Sequence, residues 1–106
     1  MSDPIQLPEN ATVADLQAYI VALEAMKGWT SATVQRKCFL MAEEVGELFK
    51  AVRLHDREPS AERVDDVADE IVDVLNYLCA IANRLDIDIE AAFRSKNGRN
   101  QRRTWR

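Results

Sequence analysis

The sequence has few of the residues that build β-rich or disulfide-stabilised folds. Only three of its 106 residues are glycine and three are proline, whereas a β-sandwich or barrel needs a turn signal roughly every 8–12 residues. Two cysteines are too few for a disulfide framework or a cysteine-rich metal site, which indicates a reducing compartment. The length suits one domain, and we expect residues 1–106 to form it, with 1–11 as a flexible N-terminus.

The sequence shows no pattern that predicts a membrane span, a targeting signal or a glycine-rich phosphate loop. The longest apolar run, Val74 to Ala82, includes Asn76 and is far shorter than a membrane span. No basic region followed by an apolar stretch opens the sequence, which predicts a soluble, cytoplasmic protein with no membrane partner. The three glycines are isolated from one another, which excludes a Walker-type nucleotide site.

Charge is divided unevenly along the chain. The net charge is −4, but residues 94–106 carry six basic residues and no acid, whereas all 18 acids lie before them. An acidic body repels polyanions, so we expect no nucleic-acid polymer as a partner. Beside a cluster of carboxylates, the basic segment is suited to binding phosphate groups. The alternative is a solvated chain terminus.

Hydrophobic periodicity predicts an all-α protein, a bundle of four helices. Capping and breaking residues set the predicted ends of each helix. The predicted helices run from Thr12 to Gly28, from Thr30 or Ser31 to about Leu54, from Ser60 to about Leu85, and from Asp88 to about Lys96 with Gly98 closing the last.

The third helix is apolar around most of its circumference between Ile71 and Ala82. A surface helix of a monomer has one apolar stripe, and a domain of this size buries only a modest share of its surface. We therefore expect a helical homodimer or a dimer of dimers. The alternative is a central helix in a monomeric bundle.

Two pairs of acidic residues indicate a metal site. Glu44 and Glu47 stand three residues apart on the second helix, and Glu70 and Asp73 on the third, so each pair shares one helix face. If the two helices are antiparallel neighbours, the four carboxylates converge. Oxygen ligands without histidine favour Mg²⁺, or Mn²⁺, over zinc or copper. The alternative is a solvated acidic face.

These motifs together resemble a known family. The pattern Glu-Glu-x-x-Glu, followed after 22 residues by Glu-x-x-Asp, is similar to that of the MazG-like all-α nucleoside triphosphate pyrophosphohydrolases. The segment from Lys96 through Asn100 and Arg103 to Trp105 resembles the closing segment of that family, and the resemblance begins at about Trp29. It implies a dimeric or tetrameric MazG-like bundle that uses Mg²⁺ to hydrolyse a (deoxy)nucleoside triphosphate to the monophosphate and pyrophosphate, as in house-cleaning of the nucleotide pool.

The resemblance also implies roles for the acidic residues. Glu44, Glu47, Glu70 and Asp73 match the family's metal-binding carboxylates. One carboxylate must orient or deprotonate the attacking water, and we expect Glu47 to do so. Glu43 matches the position of a base or of a ligand to a second metal.

Five further residues match positions that contact the nucleotide. Lys96 and Arg103 match the positions that reach the phosphates, and Asn100 matches the one that reaches the sugar or base. Trp29 and Tyr77 match aromatic positions near the nucleoside. For Trp29 the alternative is a hydrophobic cap on the turn between the first two helices, and for Tyr77 it is buried packing.

Two other functions fit parts of the pattern. Phosphoribosyl-ATP pyrophosphohydrolases use a similar acidic pattern within the same superfamily. A non-catalytic helical interaction module would use the acids only to stabilise its helices and the basic tail to bind a partner. An assay of pyrophosphate release across a nucleotide panel separates the three hypotheses.

Overall fold

The computed structural model describes residues 4–104, and within this range the chain forms four helices and no strand. The helices are α1 (Val13–Lys27), α2 (Val34–Arg57), α3 (Ala61–Arg84) and α4 (Ile89–Arg102). The prediction of an all-α protein is confirmed for the described range. Residues 4–11 form no helix or strand. No helix in the described range is long and apolar enough to cross a membrane.

Side-chain caps explain where the helices begin. Thr12 and Asp15 form a reciprocal capping box at α1, in which the Thr12 hydroxyl accepts a hydrogen bond from the Asp15 N–H at 3.1 Å. The Ser60 hydroxyl accepts from the Arg63 N–H at 3.1 Å and begins α3, as predicted. Gly28, with φ +74°, ends α1 in the left-handed conformation that glycine adopts readily.

The second helix begins later than Thr30 or Ser31, so that predicted boundary was wrong. Its N-cap is Thr33, whose hydroxyl accepts from the Arg36 N–H at 3.0 Å. The residues before it form a turn in which the Ala32 N–H donates to the Trp29 carbonyl at 3.2 Å. The helix therefore begins two or three residues later than predicted.

The fourth helix is longer than predicted, because Gly98 does not close it. The helix continues to Arg102, and Gly98 is not among the described residues with positive φ. Side-chain hydrogen bonds one turn apart span the glycine, from Arg99 to Ser95 at 2.7 Å and from Asn100 to Asn97 at 3.1 Å. Glycine lowers helix propensity by only about 1 kcal/mol relative to alanine, which neighbouring interactions can offset.

Helices α2 and α3 lie antiparallel along each other, and α1 crosses the C-terminal half of α3. The buried core centres on Ile20, Cys79 and Ala80, and Leu16 and Leu23 pack against it. Helix α4 contacts α1. The radius of gyration is 16.3 Å, above the roughly 13 Å expected of a compact chain of about 100 residues. The single chain is therefore open rather than spherical.

Large apolar side chains remain uncovered in the single chain. Val64, Ile71, Leu75 and Leu78 lie on α3 at spacings of one to two helical turns, and all four are exposed. Phe49 of α2 is also 69% exposed. Several large apolar side chains exposed along one helix are typical of an interaction site.

A hydrogen-bond network fixes α1 to the turn between α3 and α4. The side-chain amide of Gln17 donates to the Asn83 side chain at 3.1 Å and to the Ile87 carbonyl at 2.8 Å, and its oxygen accepts from the Ile89 N–H at 3.0 Å. The Asn83 amide donates in return to the Gln17 carbonyl at 2.9 Å. Gln17 is buried, so each of these groups depends on its partner.

Replacement of Gln17 by alanine should therefore lower the free energy of unfolding by roughly 1–3 kcal/mol, because it leaves partly buried donors and acceptors without partners. Urea unfolding followed by circular dichroism measures the loss. Gln35 supplies the control, since it is an exposed glutamine in α2 and its replacement by alanine should change the free energy by less than about 0.5 kcal/mol. Equal effects of the two substitutions would contradict the role assigned to the network.

Candidate active site

The antiparallel pairing of α2 and α3 brings acidic side chains from both helices together. One carboxylate oxygen from each of Glu44, Glu70 and Asp73 lies within 4.8 Å of the others. Glu44 and Glu70 are half-buried and Asp73 is exposed. Three of the four predicted metal-binding carboxylates thus form one cluster.

The electrostatics of this cluster are unfavourable for the bare carboxylates. The Oε2 atom of Glu70 is buried and makes no hydrogen bond within the described residues. Burial raises the pKa of Glu70, and the hydrogen bond to Glu44 and the negative charges of Glu44, Asp73 and Glu47 raise this pKa further. A cation bound between the side chains would relieve the repulsion and supply a partner for the unpaired oxygen. The donor set consists only of carboxylate oxygens, which fits Mg²⁺ or Mn²⁺.

The other two predicted acids lie beside the cluster rather than in it. Glu47 is exposed on α2 and does not belong to the group of three oxygens, although its charge contributes to the raised pKa of Glu70. Glu43 is exposed, and its charge contributes to the raised pKa of Tyr77. Glu47 therefore faces solvent close to the cluster, where a water molecule can approach it.

A cavity of about 220 Å³ adjoins the acidic cluster. Trp29 and Tyr77 line it together with Glu44 and Asp73, so the structure brings both predicted aromatic residues to the same cavity as two of the carboxylates. Its remaining walls come from α1, α2 and α3, through Ile20, Leu23, Glu24, Lys37, Asn76 and Ala80. The cavity joins apolar ring surface to a few charged and polar groups, as small-molecule sites commonly do.

The hydroxyl of Tyr77 stays protonated in this setting. Burial raises its pKa, and the charges of Glu44 and Asp73 raise it further. The hydroxyl can therefore donate a hydrogen bond into the cavity. This geometry is compatible with contact between Tyr77 and a bound nucleotide as well as with packing.

Lys37 and Glu24 form a buried ion pair in the wall of the cavity, which the sequence analysis missed. The Lys37 Nζ atom lies 3.0 Å from Glu24 Oε2, and the two side chains are 5% and 7% exposed. The same Nζ atom lies 5.4 Å from the centroid of the Trp29 ring and 5.6 Å from that of Tyr77. One signal was present, because Glu24 follows Ile20 by four residues and so continues the apolar stripe of α1.

Arg84 completes this ion pair and holds the turn between α1 and α2. Its guanidinium donates to both carboxylate oxygens of Glu24, at 2.8 and 2.6 Å. It also donates to the backbone carbonyls of Ala32 at 2.8 Å and Trp29 at 3.2 Å. This bidentate contact fixes Glu24, and with it the position of Lys37, in a defined geometry.

The predicted phosphate-binding segment lies elsewhere in the chain. Lys96 and Asn100 are on α4, which packs against α1, and Arg103 follows directly. None of these three residues lines the cavity between Trp29 and Tyr77. The tail motif ends at a tryptophan, position 105, which lies outside the described residues.

Comparison with known families identifies the chain. The model of the MazG nucleotide pyrophosphohydrolase domain matches residues 33–105, which include both acidic pairs and the tail. The chain therefore belongs to the MazG nucleotide pyrophosphohydrolase family, as the sequence motifs predicted. A search of curated proteins found no match. Helix α1, which supplies Glu24 to the cavity, precedes the matched region.

The ion pair predicts a specific pH dependence of stability. The hydrogen bond from Arg84 lowers the pKa of Glu24, with Lys37 adding to this effect and burial opposing it. The ionised carboxylate therefore stabilises the fold above the ordinary pKa of 4.5, and this contribution is lost as the pH falls through the lowered pKa. In the Glu24→Gln variant, the free energy of unfolding should fall less steeply below about pH 4.5 than in the unmodified protein.

Urea unfolding at a series of pH values from 3 to 7 measures this slope. Glu62→Gln is the control, because Glu62 is exposed at the start of α3. Identical slopes in the Glu24→Gln variant and the unmodified protein would show that the buried carboxylate does not couple folding to protonation.

Proposed function

We propose that this protein hydrolyses (deoxy)nucleoside triphosphates to the nucleoside monophosphate and pyrophosphate in a divalent-metal-dependent reaction. The observation that carries the proposal is the cluster of Glu44, Glu70 and Asp73, with oxygens within 4.8 Å, beside a cavity lined by Trp29 and Tyr77. Membership of the MazG nucleotide pyrophosphohydrolase family supports it.

Glu44, Glu70 and Asp73 are the proposed ligands of Mg²⁺, with Mn²⁺ as a substitute. The unpaired Oε2 atom of Glu70 supports this assignment, because a buried carboxylate oxygen without a partner is costly. Mg²⁺ bound there would polarise a phosphate oxygen and neutralise charge that repels the nucleophile. Glu47 is proposed as a further ligand through its position one helical turn from Glu44.

The protein's own groups would bind and orient the reactants. Glu47 is exposed next to the cluster, so its carboxylate is suited to orient or deprotonate the attacking water. Glu43 is the second candidate for this role. Trp29 and Tyr77 would hold the nucleoside through their ring faces.

The apolar face of α3 favours a second copy of the chain as a partner. Ile71, Leu75 and Leu78 are exposed on that face, and a homodimer or homotetramer would bury them. The tail residues Lys96 and Arg103 do not line the cavity of their own chain. We therefore assign them to the phosphates of a nucleotide held by a second copy, with Asn100 reaching its sugar or base.

Asp73→Asn should reduce pyrophosphate release from nucleoside triphosphates in Mg²⁺ by at least roughly a hundredfold, since it removes a metal ligand. The same substitution should raise Tm in the absence of divalent metal, because it removes one of three mutually repelling carboxylates. Addition of Mg²⁺ should raise the Tm of the unmodified protein more than that of the variant.

The matched control is Asp65→Asn, which removes an exposed carboxylate at the start of the same helix. It should leave turnover and the response to Mg²⁺ unchanged. Cleavage of phosphoribosyl-ATP alone would assign the sister activity. Silence across the nucleotide panel, with no effect of Mg²⁺ on Tm, would assign a non-catalytic interaction module.

Leu78→Lys should lower the mass measured by light scattering, because it places a charge in the proposed contact between copies. Leu7→Lys is the control, since Leu7 is 46% exposed and Leu78 is 45% exposed, but Leu7 precedes α1. The control should keep the mass of the unmodified protein. A monomer of 12.1 kDa with full activity at high dilution would contradict the proposed assembly.

Mixing two inactive variants tests the tail within that assembly. Chains carrying Asp73→Asn and chains carrying Arg103→Ala should recover activity together, because one mixed site then has both intact groups. An absence of recovery, in mixtures that light scattering shows to be assembled, would reject the contribution of the tail from a second copy.

A further inference from the structure

Trp29 lines the cavity beside the acidic cluster, yet it is 48% exposed. Exposed side chains change rotamer readily, so packing alone does not fix this ring. We propose that Arg84 and Glu24 are positioning residues, which hold Trp29 in place as a wall of the cavity and thereby set the affinity for a nucleoside. This inference rests on the proposed function, because it concerns how the same cavity holds its substrate.

The backbone of Trp29 is fixed by hydrogen bonds on both sides of the residue. Its N–H donates to the Glu24 carbonyl at 2.8 Å. Its carbonyl accepts from the Arg84 guanidinium and from the Ala32 N–H, each at 3.2 Å. The same guanidinium donates to the Ala32 carbonyl at 2.8 Å. Arg84 therefore holds both ends of this turn, and with them the Cα atom from which the tryptophan ring extends.

The ring of Trp29 is connected to the same ion pair through Lys37. The Lys37 Nζ atom lies 5.4 Å from the centroid of the Trp29 ring, which is within the range of a cation–π contact. It lies 5.6 Å from the centroid of the Tyr77 ring, so one ammonium group contacts both aromatic walls. The position of this group depends on Glu24, whose Oε2 atom lies 3.0 Å away. Both the backbone and the ring of Trp29 thus depend on the pair of Glu24 and Arg84.

This pair is suited to positioning because it is largely buried and bidentate. The side chains of Arg84 and Glu24 are 15% and 7% exposed, and the two terminal nitrogens of the guanidinium donate to separate carboxylate oxygens at 2.8 and 2.6 Å. One of these nitrogens also donates to the Ala80 carbonyl at 3.0 Å. Parallel contacts fix the plane of the guanidinium. A lysine, whose donors share one nitrogen, cannot reproduce them and also reach the carbonyls of the turn.

Trp29 lines two cavities, which gives its position a consequence for binding. The cavity of about 220 Å³ has carboxylates in its wall. A second cavity, of about 430 Å³, also has Trp29, Lys37 and Tyr77 in its wall, and its lining includes no carboxylate of the described residues. Displacement of the Trp29 ring would join the two spaces and remove one aromatic wall from the nucleoside. The described hydrogen bonds of Arg84 do not involve the acidic cluster, which should keep its geometry.

Isothermal titration with AMP, GMP, CMP and UMP in Mg²⁺ tests this role. Arg84→Lys keeps the charge, and it should weaken the tightest of the four complexes by at least roughly fivefold. In turnover assays it should raise KM by a similar factor and change kcat by less than about twofold. Arg63→Lys is the matched control and should leave these values unchanged, since Arg63 pairs with the exposed Glu58 at the other end of α3 and does not line the cavity.

A double-mutant cycle separates positioning from a general structural defect. Trp29→Ala should itself weaken nucleotide binding. If Arg84 acts through Trp29, Arg84→Lys should then weaken binding by less than about twofold in the alanine background. A general defect would instead have its full effect in both backgrounds. Additive effects of the two substitutions on Kd would therefore overturn the inference, as would failure of all four monophosphates to bind the unmodified protein.

Tryptophan fluorescence gives a readout that needs no nucleotide. In protein carrying Trp105→Phe, Trp29 is the one remaining tryptophan. Arg84→Lys should increase quenching of its emission by acrylamide and shift the emission maximum to longer wavelength, because the ring is released to solvent. Unchanged quenching and emission in the folded variant would contradict the positioning role. Circular dichroism verifies folding, and Glu24→Gln replaces Arg84→Lys in each measurement should the latter not fold.

The proposed function and the positioning role fail through different results. An absence of pyrophosphate release, together with an effect of Arg84→Lys on binding that depends on Trp29, would reject hydrolysis and support the positioning role. Release of pyrophosphate, together with additive effects in the cycle, would do the reverse.

Discussion

The carboxylate of Glu24 joins α1 to both helices of the α2–α3 pair. It extends from α1 and binds Arg84 of α3 and Lys37 of α2, while Arg84 also holds the carbonyls of the turn that carries Trp29. A buried charge is stable only when it is paired. Removal of any one of the three side chains therefore leaves the others without a complete set of partners. The cavity exists between them because these contacts fix α1 against the helix pair.

The acidic cluster destabilises the fold, whereas the ion pair of Glu24 stabilises it. Carboxylates from α2 and α3 face one another across the most extensive helix contact in the described residues, and one oxygen of Glu70 has no partner within that range. Packing of the two helices holds the charges together despite their repulsion. Charge repulsion of this kind is relieved when a cation binds between the carboxylates. The acidic cluster thus lowers the stability of the apo protein, whereas the paired charge of Glu24 does not carry the same cost.

Periodicity and caps were sufficient to predict most of the fold. Thr12, Ser60 and Gly28 are local signals, because each acts on the few residues beside it, and the structure confirms them. The start of α2 was missed because Arg84, far along the chain, holds the turn at Ala32. The end of α4 was missed because side-chain contacts carry the helix through Gly98. The contact made by Arg84 is nonlocal and leaves no local pattern, whereas the contacts across Gly98 join residues three and four positions apart.

The sequence predicts those residues of the candidate site that lie on a common helix face. The spacing of Glu44, Glu70 and Asp73 was enough to predict their convergence once α2 and α3 were taken as antiparallel. The inward position of Lys37 was not predictable in this way, since a lysine on a helix usually reaches solvent. Its burial depends on a partner in another helix.

The walls of the cavity divide between two parts of the chain. Helix α1 contributes Ile20, Leu23 and Glu24, and it precedes the region matched by the family, whereas the carboxylates lie within that region. Exchange of this one helix would therefore reshape a wall of the cavity without replacing the carboxylates proposed as metal ligands. In a protein divided like this, substitutions confined to one helix could alter the shape of the cavity while the carboxylates keep their positions.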